Sequence, residues 1–282
     1  MSTLTIRNYT DPTCPWAFSA EPARWSLLWV YGAQVEWQPR MVVLSESPDD
    51  YLAKDFTPAR LSGALHTIQR RFGMPIDPGE RPRMLASVIP CRAVVAARLH
   101  APEHERALLR RLAVYGMAGE LIDDPEVIAR IAGEVGLDPG LLSAWMDDPA
   151  VEDALRADQA AARDPSDAAL ALDHKLADSE DGRRYTCPSY EIFRSGNGNE
   201  LDLPGFQPLE TYEAAIANLA PEIERRSAPE SVEDVLVWAG EPLATAEVAA
   251  VCGIDLLEAR EQLARVAHGT PVGADSYWSL PG

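Results

Sequence analysis

Cysteine is scarce in this chain and scattered where it occurs. Cys14, Cys91, Cys187 and Cys252 lie too far apart in the 282 residues to form a disulfide framework or paired metal-ligand spacings, so no stapled scaffold and no zinc centre is readable. Positive charge is also short: 25 Lys and Arg stand against 44 Asp and Glu, a formal net charge of −19. Phosphate-rich partners require clustered cations, which argues against a nucleic-acid or anionic-membrane surface. Long hydrophobic runs are missing too. No stretch of about 18 apolar residues exists, and the opening MSTLTIRNYTD lacks the basic flank and apolar run of about 7–15 residues that a signal peptide needs. The expectation is a cytoplasmic protein. Its length allows a sizeable core in one large domain, or in one domain plus a small appendage.

What is present has a definite order. TLTIRNY alternates as a strand does, and Asp11-Pro12 closes it before a helix opens at Cys14. That helix carries Phe18, Trp25, Leu28 and Trp29 at mixed spacings of three and four and stops at Gly32. QVEWQPRMVVL follows as a strand interrupted by Pro39, hence bulged or near an edge. From about 57 to 182 the chain reads as a helical block rich in Ala, Leu, Arg and Glu. The Asp-Pro pairs 124-125, 138-139, 148-149 and 164-165 mark its helix starts, because Asp caps orphan N–H groups and Pro has none to lose. PSYEIFRS and NELDLPG then form two strands about Gly196-Asn197-Gly198. A closing helix in QPLETYEAAIANLAPEIERR presents Leu209, Tyr212, Ile216 and Leu219 on one face. A parallel pair with its crossover helix plus a hairpin makes a small mixed α/β sheet, from which the helical block is an excursion.

Cys14-Pro15-Trp16 at a helix start, Pro22 eight residues past Cys14, and TCPSYEI with Pro188 just ahead of a strand together resemble the thioredoxin superfamily in its DsbA-type branch with an inserted helical domain. DPxCPWxxxxEP and ELIDDPEVIARIAGEVGLD are similar to the cytoplasmic FrnE-like members, and the resemblance spans about residues 1–225. It implies a cis proline at Pro188 whose loop faces Cys14. It also implies that Pro15, Trp16, Ala17 and Pro188 frame the substrate, Trp16 as an aromatic rim. A thiol at a helix N-terminus ionises more readily, so Cys14 is the candidate nucleophile. Ala17 departs from the pattern. A dithiol enzyme carries its second cysteine there, and without it the first mixed disulfide cannot be resolved from that position.

Three routes stay open. An external low-molecular-weight thiol such as glutathione serves as co-substrate; the site binds a thiol as kappa-class glutathione transferases and hydroxychromene carboxylate isomerases do; or the second sulfur is Cys187, which the resemblance brings opposite Cys14. No metal or bound cofactor is called for. Cys91 and Cys252 read as structural, the five histidines as surface residues, and Arg70, Arg71, Arg81 and Arg83 as a solvated face.

Residues 227–282 form a separate segment with a winged-helix pattern. Ser231 begins one helix, Thr245 caps a second, Asp255 caps a third, and a hairpin turns about Gly273. Nine acidic side chains against two basic in residues 228–282, a net of −7, oppose DNA binding and favour a lid, a dimer contact or a docking module. The chain therefore reads as a thiol-disulfide oxidoreductase acting on a protein or small thiol, with possible homodimerisation, or as a non-catalytic adaptor on the same fold.

Overall fold

The computed structural model describes residues 4–180, 182–194, 198 and 200–281. Strand β1 (Leu4–Thr10) is followed by helices α1 (Pro15–Ser19) and α2 (Glu21–Tyr31) and strand β2 (Val35–Met41). The single helix expected after Cys14 is two: the chain breaks at Ala20, and Pro22, which cannot donate a backbone hydrogen bond, is accommodated in the first turn of α2. Gly32 ends α2 with φ +52.

The helical block contains α3 (Asp49–Leu52), α4 (Pro58–Phe72), α5 (Val88–His100), α6 (Glu105–Met117), α7 (Pro125–Glu134), α8 (Pro139–Met146), α9 (Pro149–Ala162) and α10 (Asp167–Leu170). Asp124, Asp138 and Asp148 cap α7, α8 and α9 through their side chains, each with Pro at the next position. The fourth Asp-Pro pair starts nothing. Ser166 caps α10 by accepting from the Ala169 N–H at 3.1 Å, two residues past Asp164. A small hairpin of β3 (Ala177–Ser179) and β4 (Gly182–Arg184), not legible in the sequence, leads back to the sheet.

Strands β5 (Ser189–Arg194) and β6 (Glu200–Leu203) complete a four-stranded sheet in the order β2-β1-β5-β6. β1 runs parallel to β2, pairing Leu4 with Val35 and Thr10 with Met41, and antiparallel to β5. β2 is an edge strand, so Pro39 removes no donor from the sheet interior. Of the Gly196-Asn197-Gly198 turn, only Gly198 is among the described residues, with φ +68. Closing helix α11 (Leu209–Leu219) buries Tyr212, Ile216 and Leu219 against Leu4, Ile6, Leu27 and Ile192. It stops at Leu219, short of the expected Arg226, because Pro221 disfavours helical backbone in the residue before it.

The C-terminal residues give α12 (Val232–Ala239), β7 (Leu243–Ala244), α13 (Thr245–Cys252), α14 (Leu256–Val266), β8 (His268–Val272) and β9 (Asp275–Ser279). The strands form a sheet ordered β7-β9-β8. Ser231 and Asp255 cap as expected. Thr245 does not: its hydroxyl donates to Asp275 at 2.7 Å and accepts from the Trp278 indole at 2.8 Å, while Glu247 accepts from the Ala244 N–H.

This segment is not packed only on itself. Trp25 and Trp29 of α2 sit inside its apolar core with Val235, Leu236, Val248 and Leu263. Arg110 of α6 donates to both oxygens of fully buried Glu247, at 2.8 and 2.9 Å, and to Glu241 at 2.9 Å. The hairpin tip at Gly273 lies so close to α4 and the segment after it that a Cβ there would stand 1.9 Å from the Ile76 carbonyl oxygen.

Candidate active site

A tight turn sets Cys14. One oxygen of buried Asp11 accepts from the Thr13 N–H at 2.8 Å and hydroxyl at 2.6 Å, and the Cys14 N–H donates to the Asp11 carbonyl at 3.0 Å. The other carboxylate oxygen accepts from the Leu44 N–H at 3.0 Å and the Cys91 thiol at 3.6 Å. Cys14 is thereby the N-cap of α1, in extended backbone, with Pro15 as the first helical residue.

Cys187 meets it from the other side. The Cys187–Pro188 peptide bond is cis, and both cysteines are buried, 6% and 7% exposed, and free. As a neutral thiol, Cys14 donates to the Cys187 carbonyl at 3.6 Å, a long contact. As a thiolate it accepts from the Cys187 thiol, the largest influence on its pKa, which is lowered; burial opposes this, the N–H groups of Ala17 and Trp16 assist, and the Asp11 charge opposes. No capping hydrogen bond of ordinary geometry closes onto the neutral sulfur. Three donors thus face the sulfur as it ionises, while the donation lost, to the Cys187 carbonyl, is a long one. Burial pushes the Cys187 thiol well up, and the neighbouring Cys14 and Asp11 push it further.

The remaining cysteines are different. Burial, followed by the Asp11 charge and hydrogen bond, raises the Cys91 thiol far above its usual range. Cys252, in α13 and far from the cleft in sequence, is pushed up to about 11, chiefly by burial.

Cys14 and Cys187 open into a cleft of about 640 Å³, walled on its apolar side by Leu44, Phe56, Leu61, Ile68, Met84 and Leu85. Trp16, 39% exposed, forms its rim, edge-on to Phe72 at 5.6 Å and Phe206 at 6.3 Å. Pro15 and Trp16 line the cleft; Ala17 and Pro188 are buried beside it. Ala17 faces a second cavity of about 180 Å³ that it shares with Glu21, Arg24 and Arg110.

Tyr51, Lys175 and Arg184 also line the cleft, and none was singled out by the sequence. Burial, then the charges of Asp11, Cys14 and Cys187, keep the Tyr51 phenol neutral well beyond its ordinary range. The expected solvated arginine face divides. Arg71 lies on the cleft, its guanidinium 5.7 Å from the Trp16 ring centre; Arg81 is buried on the carbonyls of Gly79, Gly116 and Met117; and Arg83 pairs with Asp123 at 2.6 Å. Among the histidines, His174 reaches the cleft and His100 stacks on Trp145. Among the described residues no group of three or more His, Cys, Asp or Glu could hold a metal ion, and no helix is long and apolar enough to cross a membrane.

Solved structures share the fold that carries this site. A candidate protein disulfide isomerase from Nitrosomonas europaea aligns over 78% of this chain and 99% of its own, with TM-score 0.56 and 14% identity. A candidate DsbA oxidoreductase from Streptomyces coelicolor aligns over 80% and 93%, with TM-score 0.56 and 17% identity. The cytosolic disulfide reductase DsbM from Pseudomonas aeruginosa covers 70% and 89%, at 23% identity and TM-score 0.49. At these identities the first two show a shared fold. No curated protein sequence matches the chain. The family model of the DSBA-like thioredoxin domain matches residues 5–166. With more than half of its length matched by that model, the chain belongs to the DSBA-like thioredoxin domain family.

Proposed function

We propose that the chain is a thiol-disulfide exchange enzyme with Cys14 as its nucleophile, working in the cytoplasm in the manner of the FrnE-like branch. The observation that carries this reading is the pairing of Cys14, favoured as a thiolate, with Cys187, favoured as a thiol, at the mouth of a cleft. The Cys14 thiolate attacks a substrate disulfide. One sulfur bonds to Cys14, the old S–S bond breaks, and the departing thiolate carries away the electron pair and then takes a proton.

The adduct is released by a second attack. An external low-molecular-weight thiol, as co-substrate, returns Cys14 as a thiolate and leaves as a new disulfide, which needs no further cofactor. Cys187 is the internal alternative: its sulfur would bond to Cys14 and its proton would pass to the leaving thiolate. Formation of the adduct removes the Cys14 charge that raises the Cys187 thiol, but burial, the larger cause, remains. The raised Cys187 thiol favours external thiol as the resolving group, with Cys187 as a hydrogen-bond donor to Cys14. Intact-mass analysis and peptide mapping after mild oxidation, with and without glutathione, test this. The expected result is a Cys14 adduct in the presence of thiol and a Cys14–Cys187 link in its absence; an unmodified Cys14 in both overturns the reading.

The adaptor reading rests on Ala17 and on the C-terminal segment. The order helix, strand, helix, helix and hairpin in residues 232–279 supports a winged-helix module, and its net acidity directs it to protein contacts, within the chain or in a homodimer, rather than to nucleic acid. Its contacts with α2, α4 and α6 favour the intramolecular role.

A further inference from the structure

We infer that the Cys14 cleft is built for a small disulfide whose arms carry carboxylates, received by Arg71, Lys175 and Arg184. This rests on the reading of Cys14 as an exchange nucleophile and names its substrate class.

The chain has far more acids than bases, and its arginines are used accordingly: among the described residues sixteen of them lie within 4 Å of a carboxylate. The cleft breaks that habit. Its described lining includes no Asp or Glu, yet it contains Arg71, Lys175 and Arg184, none of which has a carboxylate partner among the described residues. Arg71 rests over the Trp16 and Phe72 rings at 5.7 and 5.0 Å. Among the described residues Lys175 reaches only the Phe206 carbonyl at 3.4 Å, and Arg184 only the adjacent Tyr185 carbonyl at 2.9 Å. Asp11 stands behind Cys14 with both oxygens engaged by Thr13, Leu44 and Cys91.

The field of the whole molecule and the Cys14 thiolate both repel an anion, so unpaired cations gathered at this one cleft reverse the local sign where it governs encounter. A volume of about 640 Å³ is that of a small-ligand site, and Trp16, Phe72 and Phe206 give the body of the ligand an aromatic flank. In the reaction the Cys14 sulfur bonds to one sulfur of the ligand, the ligand's S–S bond breaks, and a carboxylate-bearing thiolate departs with the electron pair. The disulfide itself is the oxidant.

The test uses the full chain and three disulfide probes: dithiobis(nitrobenzoate), which is dianionic; dithiodipyridine, aromatic and neutral; and cystamine, dicationic. Rates at Cys14, located by peptide mapping, are each divided by the rate with free cysteine. The expected result is a normalised rate about tenfold higher for the dianion than for the neutral probe, lowest for cystamine, with the gap closing as salt rises. Arg71→Gln and, independently, Arg184→Gln should lower the dianion rate more than the neutral one. Equal normalised rates for all three probes, or a dianion preference that both variants leave intact, overturns the inference while Cys14 remains a nucleophile. Failure of every probe to label Cys14 overturns the exchange reading as well.

Discussion

Arginine does opposite things in two regions of this molecule. Where the C-terminal segment meets α2 and α6, Arg110 is 6% exposed and donates to Glu247, Glu241 and the Pro242 carbonyl, with Glu21 at 3.5 Å. In the cleft, Arg71 and Arg184 line open space, with no carboxylate partner among the described residues. A buried guanidinium costs several kcal/mol to desolvate and holds only when each partner is present. A partly exposed one keeps much of its hydration and stays available. The first arrangement fixes elements to one another; the second leaves a place for something that arrives.

Cys14→Ser attacks the cleft alone. Because a serine hydroxyl is not ionised near neutral pH, exchange should fall by at least about 100-fold, read as loss of mixed disulfide by intact mass, with the thermal midpoint little changed. At the junction, Glu247→Ala should reduce unfolding free energy by about 3–5 kcal/mol, because it removes the fully buried carboxylate that accepts two Arg110 hydrogen bonds and one from the Ala244 N–H. Denaturant unfolding measures it, and the contrast is Arg71→Gln, expected within about 0.5 kcal/mol of the parent. Equal losses for these two variants would erase the distinction between the regions.

The smallest effect sharpens the cleft itself. The Cys187 thiol is the main donor lowering the Cys14 pKa, so Cys187→Ala should move the pH profile of Cys14 alkylation to higher pH, while Cys187→Ser, which keeps a donor, should move it less. The sign for stability follows. A thiolate favoured by the fold stabilises it above the ordinary thiol range, and that contribution is lost as pH falls through the lowered Cys14 value. An unchanged profile in Cys187→Ala would remove Cys187 from the site.

Much of the fold was legible because its signals are local. Asp124, Asp138 and Asp148 cap helices with atoms only a few residues away, and the strand, helix, strand opening follows from alternation and from Cys14-Pro15. Asp164-Pro165 failed because Ser166 competed for the same helix start. The cleft was half legible. Cys14 and Trp16 stand in a recognisable tetrad, but Tyr51, Lys175 and Arg184 reach it only through tertiary folding, and nothing in their neighbours marks them. The same reason hid the attachment of residues 232–279: helical spacing marks Trp25 and Trp29 as apolar positions but does not say what covers them, and the core they enter is assembled from residues more than 200 positions later.

That attachment has a consequence for synthesis. Trp25, Trp29 and Arg110 leave the ribosome long before Val235, Glu247 and Leu263, which cover or neutralise them. During that interval two large apolar rings and a guanidinium lack their partners, so the growing chain presents a sticky, incompletely neutralised surface that a chaperone can hold. The order of translation makes the folding of residues 232–279 the step that covers α2 and neutralises Arg110 of α6.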